Sequence, residues 1–72
     1  MHPNDRDVEK HYPVDQFVDK LRRLADCLEN EEPFRIQVAG TRVTVPTDAE
    51  ISVEHERGEG EEEIEFQLKW KV

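Results

Sequence analysis

Cys27, the histidines His2, His11 and His55, and seven glutamates between Glu54 and Glu65 are the side chains of this 72-residue chain whose types could carry chemistry. A thiol does nucleophilic or redox work as its thiolate, which cationic neighbours favour. Arg23 lies one helical turn before Cys27 and Lys20 lies two turns before it. A nucleophile also needs a base, and no histidine stands at helical spacing from Cys27, so it reads as a bystander. Structural zinc requires Cys and His recurring at short intervals. Two histidines near the start and one far along the chain make no such set. Carboxylates hold a hard cation when a turning loop converges their oxygens to about 2.0–2.6 Å. The stretch EHERGEGEEEIEFQLKW instead alternates, and an alternating strand splays its carboxylates. No glycine-rich phosphate loop and no nucleophile–base pair occurs either. The chain reads as non-catalytic, with no cofactor and no metal.

Those residues must be placed by a few short elements. A chain of this length makes one domain, near the lower limit for a self-supporting core. Val14, Phe17, Val18, Leu21, Leu24, Ala25 and Leu28 follow helical spacing and fill an arc of about 120° on one face. Asp15, Asp19, Arg22, Arg23 and Asp26 take the remainder, with Asp19 and Arg23 at supporting spacing. Pro13 suits the first turn, Pro33 forbids continuation, and Asn30 is suited to a left-handed exit. Residues 1–11 lack periodicity and read as a mobile lead-in; the domain proper spans 12–72.

FRIQVAGTRVTVP alternates in two runs. A two-residue turn at Ala39-Gly40 sets Ile36 against Val43 and Phe34 against Val45, with every apolar side chain on one face. A three-residue turn spoils that match. After PTDA the alternation resumes: Ile51, Val53 and His55 share one face of a third strand. Ile64, Phe66, Leu68, Trp70 and Val72 share one face of a fourth. This places His55 in or beside the core and Trp70 as an anchor on the last strand. The connecting RGEG allows a two-residue turn at Gly58-Glu59 or a four-residue loop from Gly58 to Glu61, both even in length. The predicted fold is α+β in two layers, one N-terminal amphipathic helix packed on a four-stranded antiparallel sheet, in the order α-β-β-β-β.

The helix LRRLAD, the entry EPF-x-I-x-V, VTVP, VEHE and the terminal EFQLKW together resemble the Amphi-Trp domain family, small prokaryotic proteins named for an amphipathic segment closing on a tryptophan. The resemblance covers roughly residues 14–70. It implies no activity, cofactor or substrate, and no functional residue is carried over from it.

Two surfaces remain as candidate sites. In either register of the second hairpin the outer face sets glutamate against glutamate: Glu54–Glu63 and Glu56–Glu61, or Glu54–Glu65 and Glu56–Glu63. Directly opposed like charges destabilise, so screening salt, a bound cation or a basic protein partner must offset Glu54, Glu56, Glu61, Glu63 and Glu65. The expectation is a solvated, salt-tolerant face, with a basic partner as the alternative. The second surface is apolar. Four strands at about 4.8 Å make a face nearly 20 Å wide, while one helix covers about 10 Å. A strip around Phe66, Leu68, Trp70 and Val72 should stay uncovered and support a homodimer, with the long last strand as a further open edge.

Composition narrows the partners. The net charge of −8 repels phosphate backbones. The basic zone of Arg35, Gln37, Arg42, Gln67, Lys69 and Lys71 carries no aromatic on which bases stack, so nucleic acid is not expected. No apolar run approaches the ~20 residues of a membrane span, and MHPNDRDVEK lacks a signal peptide's apolar block. A single cysteine fits a reducing cytoplasm. The reading is a small acidic accessory domain of the cytoplasm that self-associates; the alternative is an acidic regulator of a basic partner.

Overall fold

The structure, a computed structural model, describes residues 9–72. The expectations for His2 and for most of the 1–11 lead-in lie outside them, and residues 9–13 form no regular element. Helix α1 spans Val14–Glu29, followed by β1 Phe34–Val38, β2 Thr41–Val45, β3 Glu50–Gly58 and β4 Glu61–Lys69. No helix among the described residues is long and apolar enough to cross a membrane.

Pro13 is the residue just before α1, and its carbonyl accepts the first helical bond from the Phe17 N–H at 3.0 Å. Asp15 places a negative charge in the first turn, where the helix dipole favours it. The exit differs from expectation. Asn30 is not left-handed (φ −92°), and Glu31 takes that conformation instead at φ 55°. The Glu32 N–H then reaches back to the Cys27 carbonyl at 2.9 Å and the Glu31 N–H to Leu28 at 3.3 Å. This closes the helix end in the manner that glycine usually provides. The geometry demands a left-handed residue one position after Asn30, whatever its type.

The first hairpin has the expected register: Phe34 faces Val45, Ile36 faces Val43, and Ala39-Gly40 is the turn. Ala39 (φ 47°) and Gly40 (φ 85°) both lie in the left-handed region, as a turn matched to strand twist requires. In the second hairpin Glu54 faces Glu65 and Glu56 faces Glu63, the register of the longer loop option. The pairing runs on to Gly58 opposite Glu61, leaving Glu59-Gly60 as a two-residue turn. Gly60, at φ 81°, is the reason the turn settles there.

The α+β class and the order of one helix and four antiparallel strands are those expected. Hydrogen bonding divides the strands into two two-stranded sheets, β1-β2 and β3-β4. Between them Pro46 brings no N–H to a ladder, and a turn closed by the Ala49 N–H on the Pro46 carbonyl at 3.3 Å leads into β3. The lengths also mismatch. Nine-residue strands extend roughly 30 Å and five-residue ones about 16 Å, so half of the second hairpin would overhang the first in any case.

The core is correspondingly small. Phe34 and Val45, partners in the first hairpin, are each 6% exposed and are the buried apolar residues among those described. Arg23 ties the helix to them, its guanidinium 5.3 Å from the Phe34 ring centre and its Nη1 donating to the Arg35 carbonyl at 3.2 Å. Helix α1 thus rests on β1, while β3 and β4 make their contacts almost wholly with each other.

Candidate functional site

The second hairpin has two chemically opposite faces. Strand alternation and the observed register put Glu54 and Glu56 of β3 on the same side as Glu61, Glu63 and Glu65 of β4. The carboxylates of Glu54, Glu56 and Glu65 approach until one oxygen from each lies within 4.8 Å of the others. Gln67 sits beside them. Its Nε2 donates to Glu54 Oε2 at 3.3 Å and to Glu65 Oε2 at 3.5 Å, and its Oε1 accepts from the Ser52 hydroxyl at 3.1 Å. One neutral amide therefore partly offsets a like-charge pair that opposed strands bring together. Coulombic repulsion from Glu65 raises the Glu63 pKa above its usual value, with smaller contributions from desolvation and Glu56. Glu54, Glu56 and Glu65 are the residues best placed to meet a cation. Three ligands on paired strands, without a turning loop, fall short of the six to eight oxygens a calcium site gathers.

The opposite face carries Ile51, Val53 and His55 on β3 against Leu68, Phe66 and Ile64 on β4. It is mostly open. Ile51 is 53% exposed, Val53 62%, Ile64 60% and Phe66 61%. Across from its lower half stands the apolar side of α1. Leu21 and Leu28 on the helix, with Ile51, Val53, Phe66 and Leu68 on the hairpin, line a groove of about 210 Å³. Phe17 and Val14 extend the exposed apolar helix face towards the N-terminal end.

His55 lies on this apolar face but is exposed, not set in the core. Its Nε2 meets Glu62 Oε1 at 2.9 Å. Glu62 shares that face because the register places it diagonally from His55, a pairing legible only once the longer register is chosen. Cys27 is half-buried. It borders a cavity of about 180 Å³ beside Phe34, Val45 and Pro46, because one helical turn beyond Leu24 lies at the margin of the apolar arc.

Of the four residues expected to form an association strip, Phe66 is open, Leu68 is half-buried in the groove, and Trp70 and Val72 lie past the end of β4. Trp70 is therefore not a core anchor. Lys69 pairs with Glu50, the first residue of β3, so nothing remains opposite Trp70. It is half-buried in a shallow depression with Asp48, Glu50 and Lys71. The expected basic zone is also divided: Arg35, Gln37 and Arg42 line one depression on the first hairpin, whereas Gln67 is engaged with the glutamates of the second. What sequence reasoning missed is how much of the β3–β4 apolar face stays open, a consequence of the two hairpins not joining.

The Amphi-Trp domain family model matches residues 5–72, nearly the whole chain. The chain belongs to the Amphi-Trp domain family. No curated protein and no solved structure matches it. For this Amphi-Trp domain the decisive features are thus its own two faces, acidic behind and apolar in front.

Proposed function

We propose that this Amphi-Trp domain is a non-catalytic accessory module of the cytoplasm that works by association, beginning with a second copy of itself. The observation that carries this reading is the open apolar face of β3 and β4 in a domain whose buried apolar residues, among those described, are Phe34 and Val45. A few buried side chains contribute about 1.5–3 kcal/mol each, little against the cost of ordering a chain this long. Contiguous exposed apolar surface of this kind usually marks an interaction site. The non-catalytic part rests on how the reactive side chains are used. His55 is engaged by Glu62 on one hairpin, and Cys27 lies on a different element, lining a small cavity with Phe34.

Sedimentation velocity over a hundredfold range of concentration tests the reading. A dimer is expected at micromolar concentration and above; a monomer throughout would overturn it. A second reading draws on the convergence of Glu54, Glu56 and Glu65: this face takes a Lys- or Arg-rich protein segment. Titration calorimetry with a lysine-rich peptide at low salt checks it. Heat that vanishes in the Glu54→Gln, Glu65→Gln double variant supports it, and absence of heat in the unaltered chain contradicts it.

A further inference from the structure

Resting on the self-association reading, we propose that the second copy seats in the apolar groove between α1 and the β3–β4 hairpin, as a two-fold interface centred on Val53 and Phe66. Both walls of that groove are apolar: Leu21 and Leu28 on one side, Ile51, Val53 and Phe66 on the other. A two-fold interface uses the same patch twice, so a patch that is apolar throughout satisfies itself.

The charge distribution permits this pairing. A chain of net charge −8 should repel its copy, yet Glu54, Glu56, Glu61, Glu63 and Glu65 of the hairpin lie on the reverse face. The front face carries Arg57 against Glu62, beside His55. Apolar interface cores are depleted in charge in this way.

The surface area points the same way. A compact monomer of 8.5 kDa exposes about 4,700 Å², and this chain exposes 6641 Å². Setting aside about 1,400 Å², the most that eight extended residues contribute, and lowering the mass to match, leaves an excess of roughly 1,000 Å². A standard interface takes about 800 Å² from each partner, and obligate dimers take more. That surplus is spread over residues 9–13 and the C-terminal end as well as the open front face, where Ile51, Val53, Ile64 and Phe66 are each more than half exposed. The chain's own first eight residues, MHPNDRDV, are a poor occupant, being polar or charged apart from Met1, Pro3 and Val8.

Light scattering and sedimentation on the full chain and its Val53→Lys, Phe66→Lys and Trp70→Ala variants test this placement. Each lysine variant should weaken self-association by about 30-fold or more, as loss of an interface hot spot does. Trp70→Ala should leave it within about threefold, since Trp70 lies off the groove. A lysine variant that loses its fold is bypassed by cross-linking. Val53→Cys in a Cys27→Ser background should give a covalent dimer with a short bismaleimide, and Thr44→Cys should not. A dimer that survives both lysine variants and yields no cross-link at position 53 overturns this placement while leaving self-association standing. A monomeric unaltered chain overturns both. Dye binding then tells whether the groove is closed within the chain, giving no signal, or open to an unlike partner, giving a strong one.

Discussion

Among the described residues three non-glycine ones, Glu31, Ala39 and Glu59, sit at positive φ, a conformation that costs an L-residue about 1–2 kcal/mol. Glu31 is the clearest case, because its position closes a helix end where glycine is the usual choice. Glu31→Gly should therefore raise the stability by about 1 kcal/mol, read as a higher midpoint in urea with an unchanged slope. Loss of stability would mean that the Glu31 side chain makes a contact of greater worth. Glu63 gives a pH dependence of known sign. Its folded pKa lies above the ordinary value of 4.5 because Glu65 repels its charge. The folded chain then holds more proton than the unfolded chain between those two values. Stability contributed through Glu63 rises as the pH falls through that window, and at neutral pH the ionised group is a net penalty. Glu63→Gln should be more stable than the unaltered chain at pH 7, with the difference shrinking towards pH 4. A difference that grows on acidification would contradict this account.

At the scale of elements, the first hairpin was legible in the sequence because only an even turn keeps Ile36 and Phe34 facing Val43 and Val45. The helix was legible for a similar reason: one arc of apolar residues ending before Pro33. The second hairpin was legible in its faces but not its register, since both candidate loops were even; Gly60 in the left-handed region decided it. The separation into two sheets was not legible at all. It depends on the direction in which the Pro46–Ala49 turn delivers β3, and alternation carries no information about that. His55 and Trp70 were misplaced as a consequence, each assigned to a core that a continuous sheet would have formed. The small core that does form leads to a sharp expectation. Phe34→Ala removes about 3–5 kcal/mol, enough to unfold a domain with one buried aromatic among its described residues. Circular dichroism at 25 °C should show the helix signal lost, whereas Phe34→Leu retains it. A folded Phe34→Ala variant would place the centre of stability elsewhere.

Taken whole, the molecule sorts its charge behind the second hairpin and its apolar surface in front. The rear face sets Glu54 against Glu65 and Glu56 against Glu63, and salt shortens the reach of that repulsion from about 10 Å at 0.1 M to about 3 Å at 1 M. The melting temperature should accordingly rise by several degrees between 0.05 and 1 M NaCl, in Glu54→Gln, Glu63→Gln less than in the unaltered chain. A flat or falling profile would remove salt screening from the account. The front face makes the stronger demand, because a domain this small has little to gain from folding alone. If a second copy completes the core, folding draws on association, and stability must follow mass action. The most direct measurement is the thermal midpoint of the full chain over a hundredfold range of protein concentration. A midpoint that climbs by several degrees across that range is the predicted result, and a constant midpoint would contradict it.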